Sequence, residues 1–182
     1  AGDRVFVSAT DDVSTSRNQF ATGQFPTATT DTNLYYSFLY RFRNAADVST
    51  NGEVVIRLNT PTGATTSAQH WDLLAKNVDG QIQLGIFKAG ANITNYATTN
   101  ISIGQTVFVV VKQRMVPGNA NDIYNLWINP PPEFFGTNEA NLPPFSASIG
   151  SLTTDGAESV GAGPGRLVVA AGANAEFDEL RI

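Results

Sequence analysis

The side chains that most often carry out chemistry in proteins are scarce in this sequence of 182 residues. There is no cysteine and a single histidine, His70, so a metal centre built from histidine and cysteine ligands is excluded. No Gly-x-Ser-x-Gly motif supplies a nucleophilic serine, and the glycine-rich stretch 161–165 lacks the Lys-Ser/Thr of a phosphate-binding loop. Beside Trp71, at the start of a predicted strand, His70 is expected to be a rim or packing residue.

Carboxylates are the other group that could support catalysis, because a retaining glycosidase places two of them ~5–5.5 Å apart. Alternate positions on one strand would achieve that spacing, since their side chains point to the same face. Glu133 and Glu139 lie instead in a proline-bounded loop, where no regular geometry brings them together. Glu176, Asp178 and Glu179 come nearer, but they lie in the last predicted strand, which is interpreted as a structural element of the fold. The sequence therefore predicts a protein that is not an enzyme.

Sugar binding makes different demands, because a pyranose has an apolar face and a polar rim. A flat aromatic ring flanked by amide side chains meets both demands. Trp127 shares one strand face with Asn125 and Asn129, so these three residues form the leading candidate for a glycan site. The alternative is that the Trp127 ring packs beneath the loop from Glu133 to Pro144, whose two phenylalanines need cover. Two further aromatic residues are weaker candidates for ligand binding: Trp71 and Tyr35.

Two parts of the chain carry the strongest signals for β-hairpins. Residues 105–115 and 122–129 are apolar arms on either side of a Pro-Gly-Asn turn, so they are predicted to pair as adjacent strands. Residues 70–77 and 81–88 flank Asp79-Gly80, a dipeptide that closes two-residue hairpins because both positions accept φ > 0. The candidate residues should therefore lie on antiparallel strands.

Alternation along the other strands indicates which face enters the core. Segment 34–43 has one wholly aromatic face, which predicts a strand that lines the core. Strands recur at roughly ten-residue spacing, and no segment of any length has the 3.6-residue period of a helix. We predict an all-β, two-sheet antiparallel sandwich that forms one domain over residues 1–182. In segment 53–59, three aliphatic residues are predicted to point inward: Val54, Ile56 and Leu58.

Composition limits the possible partners. The formal net charge is −5 and only 15% of the residues are charged, so the basic face that nucleic-acid binding requires is not expected. No apolar run approaches the ~20 residues of a membrane-spanning helix. A composition rich in Thr, Asn and Gly and poor in Lys favours a secreted location, outside the cell or at its surface. The expected partners are a polysaccharide or cell-surface glycan, or other copies of the chain.

Four segments together give the sequence a family resemblance: YYSFLYRF at 35–42, VVVKQR at 109–114, LWINP at 126–130 and FDELRI at 177–182. In this combination the chain resembles the concanavalin A-like lectin and glucanase jelly rolls. It is most similar to laminin G-like bacterial surface domains, whose last strand often has the FDELRI pattern. The resemblance implies a jelly roll of two antiparallel sheets, one convex and one concave. It also implies a glycan site on the concave face or its rim loops.

Enzymes that share this fold were weighed against the same residues. Phe87-Lys88-Ala89-Gly90 is similar to the Phe-Lys-Ala-Gly of alginate lyases, but those enzymes also need a Gln-apolar-His, and Gln81-Ile82-Gln83 has glutamine in place of histidine. We interpret residues 87–90 as a strand that runs into a turn. Two hypotheses remain open. The first is a non-catalytic glycan-binding module, and the alternative is a structural or adhesive subunit of a bacterial surface layer or extracellular filament.

The last strand raises the question of a metal ion. Relatives with the FDELRI ending often hold a structural calcium between a carboxylate near this strand and residues near the N-terminus, so the resemblance implies a site at Asp178 and Asp3. The alternation of apolar residues slips across Asp178-Glu179, and a β-bulge there would turn Leu180 and Ile182 back to the core. As the alternative, Asp178 and Glu179 bond backbone amides and Arg181 at that bulge.

The calcium hypothesis predicts a melting temperature that depends on the metal. Calcium prefers six to eight oxygen ligands, and an ion that binds only the folded state stabilises it in proportion to the logarithm of its concentration. We expect the melting temperature to fall in chelator, to recover when calcium is added, and to become insensitive to calcium in Asp178→Asn. Melting curves that coincide with and without chelator would refute the site.

Overall fold

The structure is a computed structural model that describes residues 5–7, 18–21, 32–59, 69–88, 93–116, 122–149, 166–169 and 175–181. These residues form two antiparallel six-stranded sheets. The first sheet contains, in spatial order, β1 (Val5–Val7), β12 (Ala175–Arg181), β3 (Thr32–Phe42), β8 (Thr106–Met115), β9 (Ile123–Ile128) and β10 (Ala147–Ile149). The second contains β2 (Asn18–Ala21), β11 (Arg166–Val169), β4 (Glu53–Asn59), β5 (Gln69–Val78), β6 (Gln81–Lys88) and β7 (Ile93–Tyr96).

Helical structure in the described residues is limited to single turns of 3-10 helix. They lie at Ala45–Asp47, Pro132–Phe134 and Glu139–Asn141. Within the same residues, none forms a helix with the length and hydrophobicity needed to cross a lipid bilayer. The all-β prediction is therefore confirmed.

Both predicted hairpins are present. Strands β8 and β9 are adjacent and pair from Val109 opposite Ile128 to Arg114 opposite Ile123. Strands β5 and β6 are joined by Asp79 and Gly80, whose φ values are 50° and 80°. Positive φ at both central residues is what the common two-residue hairpin turn requires.

The core lies between the sheets and consists of one face of each central strand. The aromatic face of β3 enters it as predicted, with exposures of 0–1% for its four rings. Alternate residues of β8 and β9 extend this surface, and the second sheet opposes it with alternate residues of β5 and β6. Because the side-chain period of a strand is two, the remaining residues of β3, β8 and β9 must all face outward from the first sheet. The fully buried aromatic residues of β3 are Tyr36, Phe38, Tyr40 and Phe42.

The predicted inward face of β4 is wrong at one position. Val55 and Ile56 are both fully buried, whereas Val54 is only half-buried. The cause is a register shift against β5 between Val54 and Ile56, where an irregularity of the ladder interrupts the alternation. Leu58 points inward as expected.

The predicted bulge in the last strand is confirmed. The pairing of β12 with β3 shifts between Asp178 and Arg181, and Glu179 has a φ of 56°. This extra residue returns Leu180 to the core side, where it packs against the buried cluster. The first and last strands pair, with Val5 opposite Phe177, and Ile182 lies outside the described residues.

Candidate functional site

The outer face of the first sheet is crossed by the loop 129–146, which joins β9 to β10. We call this segment the covering loop. It begins at Asn129, whose φ is 49° and whose side-chain Oδ1 accepts a hydrogen bond of 2.7 Å from the Phe108 backbone N–H. It ends at Ser146, whose backbone N–H donates to the Leu126 carbonyl at 2.8 Å. Both ends of the loop are thus fixed to neighbouring strands.

Side chains also hold the middle of the covering loop against the sheet. The indole Nε1–H of Trp127 donates to the Pro143 carbonyl at 3.0 Å. Glu139 forms an ion pair with Lys112 of β8 and accepts a hydrogen bond of 3.0 Å from the Asn33 Nδ2. These contacts place one carboxylate of the loop directly above the sheet.

The ion pair joins a buried cation to an exposed anion. The Lys112 side chain is 6% exposed and that of Glu139 is 50% exposed. Burial, and to a smaller extent the nearby Arg114 guanidinium, lowers the pKa of Lys112 from its ordinary value. Glu139 therefore offsets the cost of holding an ammonium group beneath the covering loop, while its carboxylate remains accessible to solvent.

A cavity of about 340 Å³ lies between the covering loop and the sheet. This volume is at the small end of the ~300–1,000 Å³ typical of ligand sites. Its floor is made of outward-facing residues of β3, β8 and β9, and its wall belongs to the loop. Apolar groups dominate the lining, with a few polar groups among them. The floor consists of Tyr35, Ser37, Phe108, Val110 and Trp127, and the wall includes Phe134, Phe135, Thr137, Glu139, Leu142 and Pro143.

Exposed aromatic rings surround this cavity. Among the described residues, the large apolar side chains that remain exposed are Tyr35 (39%), Phe135 (56%) and Phe145 (51%). The Phe135 ring stands edge-on to Phe108, with centroids 5.6 Å apart. Tyr35 and Phe135 line the cavity, and Phe145 lies just beyond it against Trp127. In the part of the chain that the structure describes, exposed aromatic surface is therefore concentrated on the outer face of the first sheet.

The structure does not present the Trp127 ring to solvent between two asparagines. Trp127 is 4% exposed and stands edge-on to Phe145, with ring centroids 5.3 Å apart. The alternative interpretation, in which the ring packs beneath the loop, describes its position. Because an aromatic strand residue can be covered by any loop long enough to reach it, the local sequence could not decide between these two positions.

The other candidates for ligand binding are dispersed. Asn125 is 5% exposed, and Asn129 uses its side chain to fasten the covering loop to β8. Trp71 is fully buried between the sheets, edge-on to Tyr36, so it has no face for a surface sugar. Tyr35 keeps an accessible ring and lines the cavity.

Several residues of the cavity were missed by sequence reasoning, which treated the covering loop as a lid over Trp127 and not as a wall. Phe135 was considered only as an apolar residue that needs cover. Glu139 was considered only as one member of a possible catalytic pair with Glu133. Alternation in β3 and β8 does predict a shared outer face for Tyr35, Phe108 and Lys112, and that was the available signal.

The predicted metal site stays a prediction. Asp3 lies outside the described residues, and Asp178 accepts a hydrogen bond of 2.9 Å from the Glu179 backbone N–H. Arg181 contacts Glu179 at 3.3 Å, which is the bulge arrangement given as the alternative. Glu176 is bound by Arg43 and lies 3.9 Å from Arg41. Within the described ranges, no three His, Cys, Asp or Glu side chains are grouped to hold a metal ion.

A second polar cluster lies on the outer face of the other sheet. Arg57 of β4 binds Asp72 of β5 through two hydrogen bonds of 2.8 Å, and Asp72 is 2% exposed. His70, two residues earlier on β5, is 6% exposed. A carboxylate engaged by a guanidinium on both oxygens is a poor general base, because the pair stabilises its ionised form.

Comparisons with known proteins bear on the fold. No family model matches the chain, and no curated protein matches it. Several solved structures, by contrast, are similar to this chain. An alginate lyase from Pseudomonas aeruginosa is 12% identical, and the two structures superpose with a TM-score of 0.59. The match covers 99% of this chain and 81% of the lyase chain. A native heptameric SAP-like pentraxin from Limulus polyphemus is 13% identical with a TM-score of 0.54, covering 98% and 74%. The chain is a jelly-roll sandwich of the concanavalin A-like type.

The position of Trp127 leads to a stability prediction. Trp127→Ala should lower the free energy of unfolding by about 3–5 kcal/mol, because it empties a buried ring site. Trp127→Phe keeps a ring but removes the donor to Pro143, so it should cost about 1 kcal/mol for the hydrogen bond plus the loss of buried indole surface. Urea denaturation measures both. A loss below about 1 kcal/mol for the alanine variant would contradict the buried position.

Proposed function

We propose that this chain is a non-catalytic, extracellular glycan-binding module whose site is the cavity beneath the covering loop. The observation that carries the proposal is the concentration of exposed aromatic rings, Tyr35 and Phe135, around a cavity that also contains a carboxylate. The fold agrees with it, since one of the similar structures is by name an enzyme of alginate, a polysaccharide. The laminin G-like affinity and the location outside the cell belong to the same proposal.

The chemistry of the cavity matches that of a sugar. The C–H face of a pyranose packs on aromatic rings such as Tyr35 and Phe135, and its hydroxyl groups donate to a carboxylate. Glu139 is the charged acceptor of the wall, and the hydroxyl groups of Ser37 and Thr137 add weaker partners. Apolar surface thus supplies most of the contact area, and a few polar groups set the orientation of the ligand.

The absence of catalysis is part of the proposal and rests on the same lining. Glu139 is the one carboxylate among the described residues that line the cavity, and Glu133 of the same loop is not part of its wall. Glycoside hydrolysis uses a pair of carboxyl groups, one as acid and one as nucleophile or base. A single carboxylate, kept ionised by its ion pair with Lys112, could serve as base or nucleophile but leaves the acid role unfilled.

One observation favours a second candidate, the structural or adhesive subunit. Phe135 and Phe145 are both more than half exposed on the same face, and exposed aromatic residues are enriched where proteins associate. A protein that used them for self-assembly would form oligomers at micromolar concentration. A monomer retained on polysaccharide supports the glycan proposal instead.

Retention on insoluble polysaccharides tests the proposed site. The wild-type chain should be retained on at least one of cellulose, chitin and insoluble β-1,3-glucan, while Tyr35→Ala and Phe135→Ala should weaken binding about tenfold each through lost ring contacts. Glu133→Gln, on the same loop but outside the cavity, is the matched control and should bind normally. Normal retention of both alanine variants with unchanged melting temperatures would move the site elsewhere.

Incubation with soluble substrates tests the absence of catalysis. We expect no new reducing ends from β-glucans and no ultraviolet-absorbing unsaturated product from alginate. The reason is that the described residues that line the cavity include a single carboxylate and no acid–base pair. Product formation that is lost in Glu139→Gln but not in Glu133→Gln would show the chain to be an enzyme.

A further inference from the structure

A second cavity of about 380 Å³ adjoins the first on the outer face of the same sheet. The two cavities share a wall made of Glu139, Leu142 and Pro143 of the covering loop. Beyond that wall, the second cavity is lined by Lys112 and Phe145, among others. The covering loop therefore divides one aromatic face into two neighbouring compartments of nearly equal volume.

The two compartments repeat the same chemistry. The first has the exposed ring of Phe135 and the second has that of Phe145, at 56% and 51% exposure. Glu139 contributes to both, and its carboxylate is half-exposed between them. Each compartment thus combines at least one accessible aromatic ring, apolar loop residues and access to the same charged acceptor.

Resting on the proposed function, we propose that the ligand is a linear glycan bound along its length, with successive parts of the chain in the two compartments. The shared Glu139 lies where a chain would cross the wall, so it can accept from hydroxyl groups on either side of a glycosidic linkage. Two separate small ligands would compete for that carboxylate. A single chain that crosses the wall can bond to it from both sides without that competition.

Charge at the wall argues against an acyl chain as the occupant. Glu139 lies at the joint between the compartments and is half-exposed, so packing methylene groups over it would remove solvent from its carboxylate without supplying a hydrogen bond. A glycan covers the same carboxylate with hydroxyls and packs its C–H faces on the two phenylalanines. The alternation of apolar and polar surface along this face therefore fits a sugar chain.

Linking two sites through one ligand has a measurable consequence, because the second contact becomes intramolecular and its effective concentration is high. Affinity should rise by about 10²-fold or more between oligosaccharides of two and six units. Titration calorimetry with cello-, chito- and laminari-oligosaccharides of both lengths measures this rise, using whichever series matches the polysaccharide that retains the protein.

Variants of the second compartment separate the two sites. Phe145→Ala should reduce the affinity for six units to near that for two, and leave the affinity for two units unchanged. Because Phe145 contacts Trp127, a second variant guards against a folding defect. Ala140→Trp fills the second compartment from an exposed loop position and should have the same selective effect. Phe135→Ala, in the first compartment, should weaken both lengths.

Three results would decide against the chain ligand. Equal affinity for two and six units would overturn it while leaving the glycan-binding proposal intact, and so would an equal loss at both lengths in Ala140→Trp. Failure of every polysaccharide and oligosaccharide to bind would overturn the glycan-binding function itself.

Discussion

The pairing of β3 with β8 is the constraint on which both the core and the candidate site depend. The two strands stay in register over ten residues, from Thr32 opposite Met115 to Arg41 opposite Thr106. Because strand side chains alternate between faces, this single register assigns every residue of both strands to the core or to the outer surface. A slip of one position would exchange the aromatic core face with the floor of the cavity. Stability and the site are therefore fixed by the same ladder.

The register also explains the electrostatics of the site. It places Tyr35 directly opposite Lys112, and the ammonium nitrogen lies 6.0 Å from the centre of the ring. With Tyr35 on one side and the covering loop above, Lys112 is removed from water although it lies on the outer face. Its position then makes an anionic partner necessary, and Glu139 supplies it. The covering loop buries the Lys112 ammonium group, and the ion pair between that group and Glu139 holds the loop against the sheet.

The sequence predicted those features that depend on periodicity and failed on those that depend on a loop. The aromatic face of β3, the β8–β9 pairing and the bulge at Asp178 all follow from residue spacing and were correct. The inward face of β4 failed where a register shift interrupts the period at Val54. The exposure of Trp127 could not be predicted because the covering loop, which buries its ring, has no residue periodicity. The path of that loop depends on hydrogen bonds between side chains and distant backbone groups, such as that from Trp127 to Pro143.

The way in which the covering loop is attached determines how far its length can change without disturbing the sheets. At one end the backbone N–H of Asn129 donates to Phe108 at 2.7 Å, and at the other Ser146 bonds Leu126, so both junctions are main-chain contacts within the sheet. Each doubling of a loop's length costs only about 0.6 kcal/mol in closure entropy. The segment between these junctions can thus change in length at little entropic cost, provided that it still covers Trp127 and supplies an anion to Lys112. The two sheets and the core between them do not depend on the length of this segment.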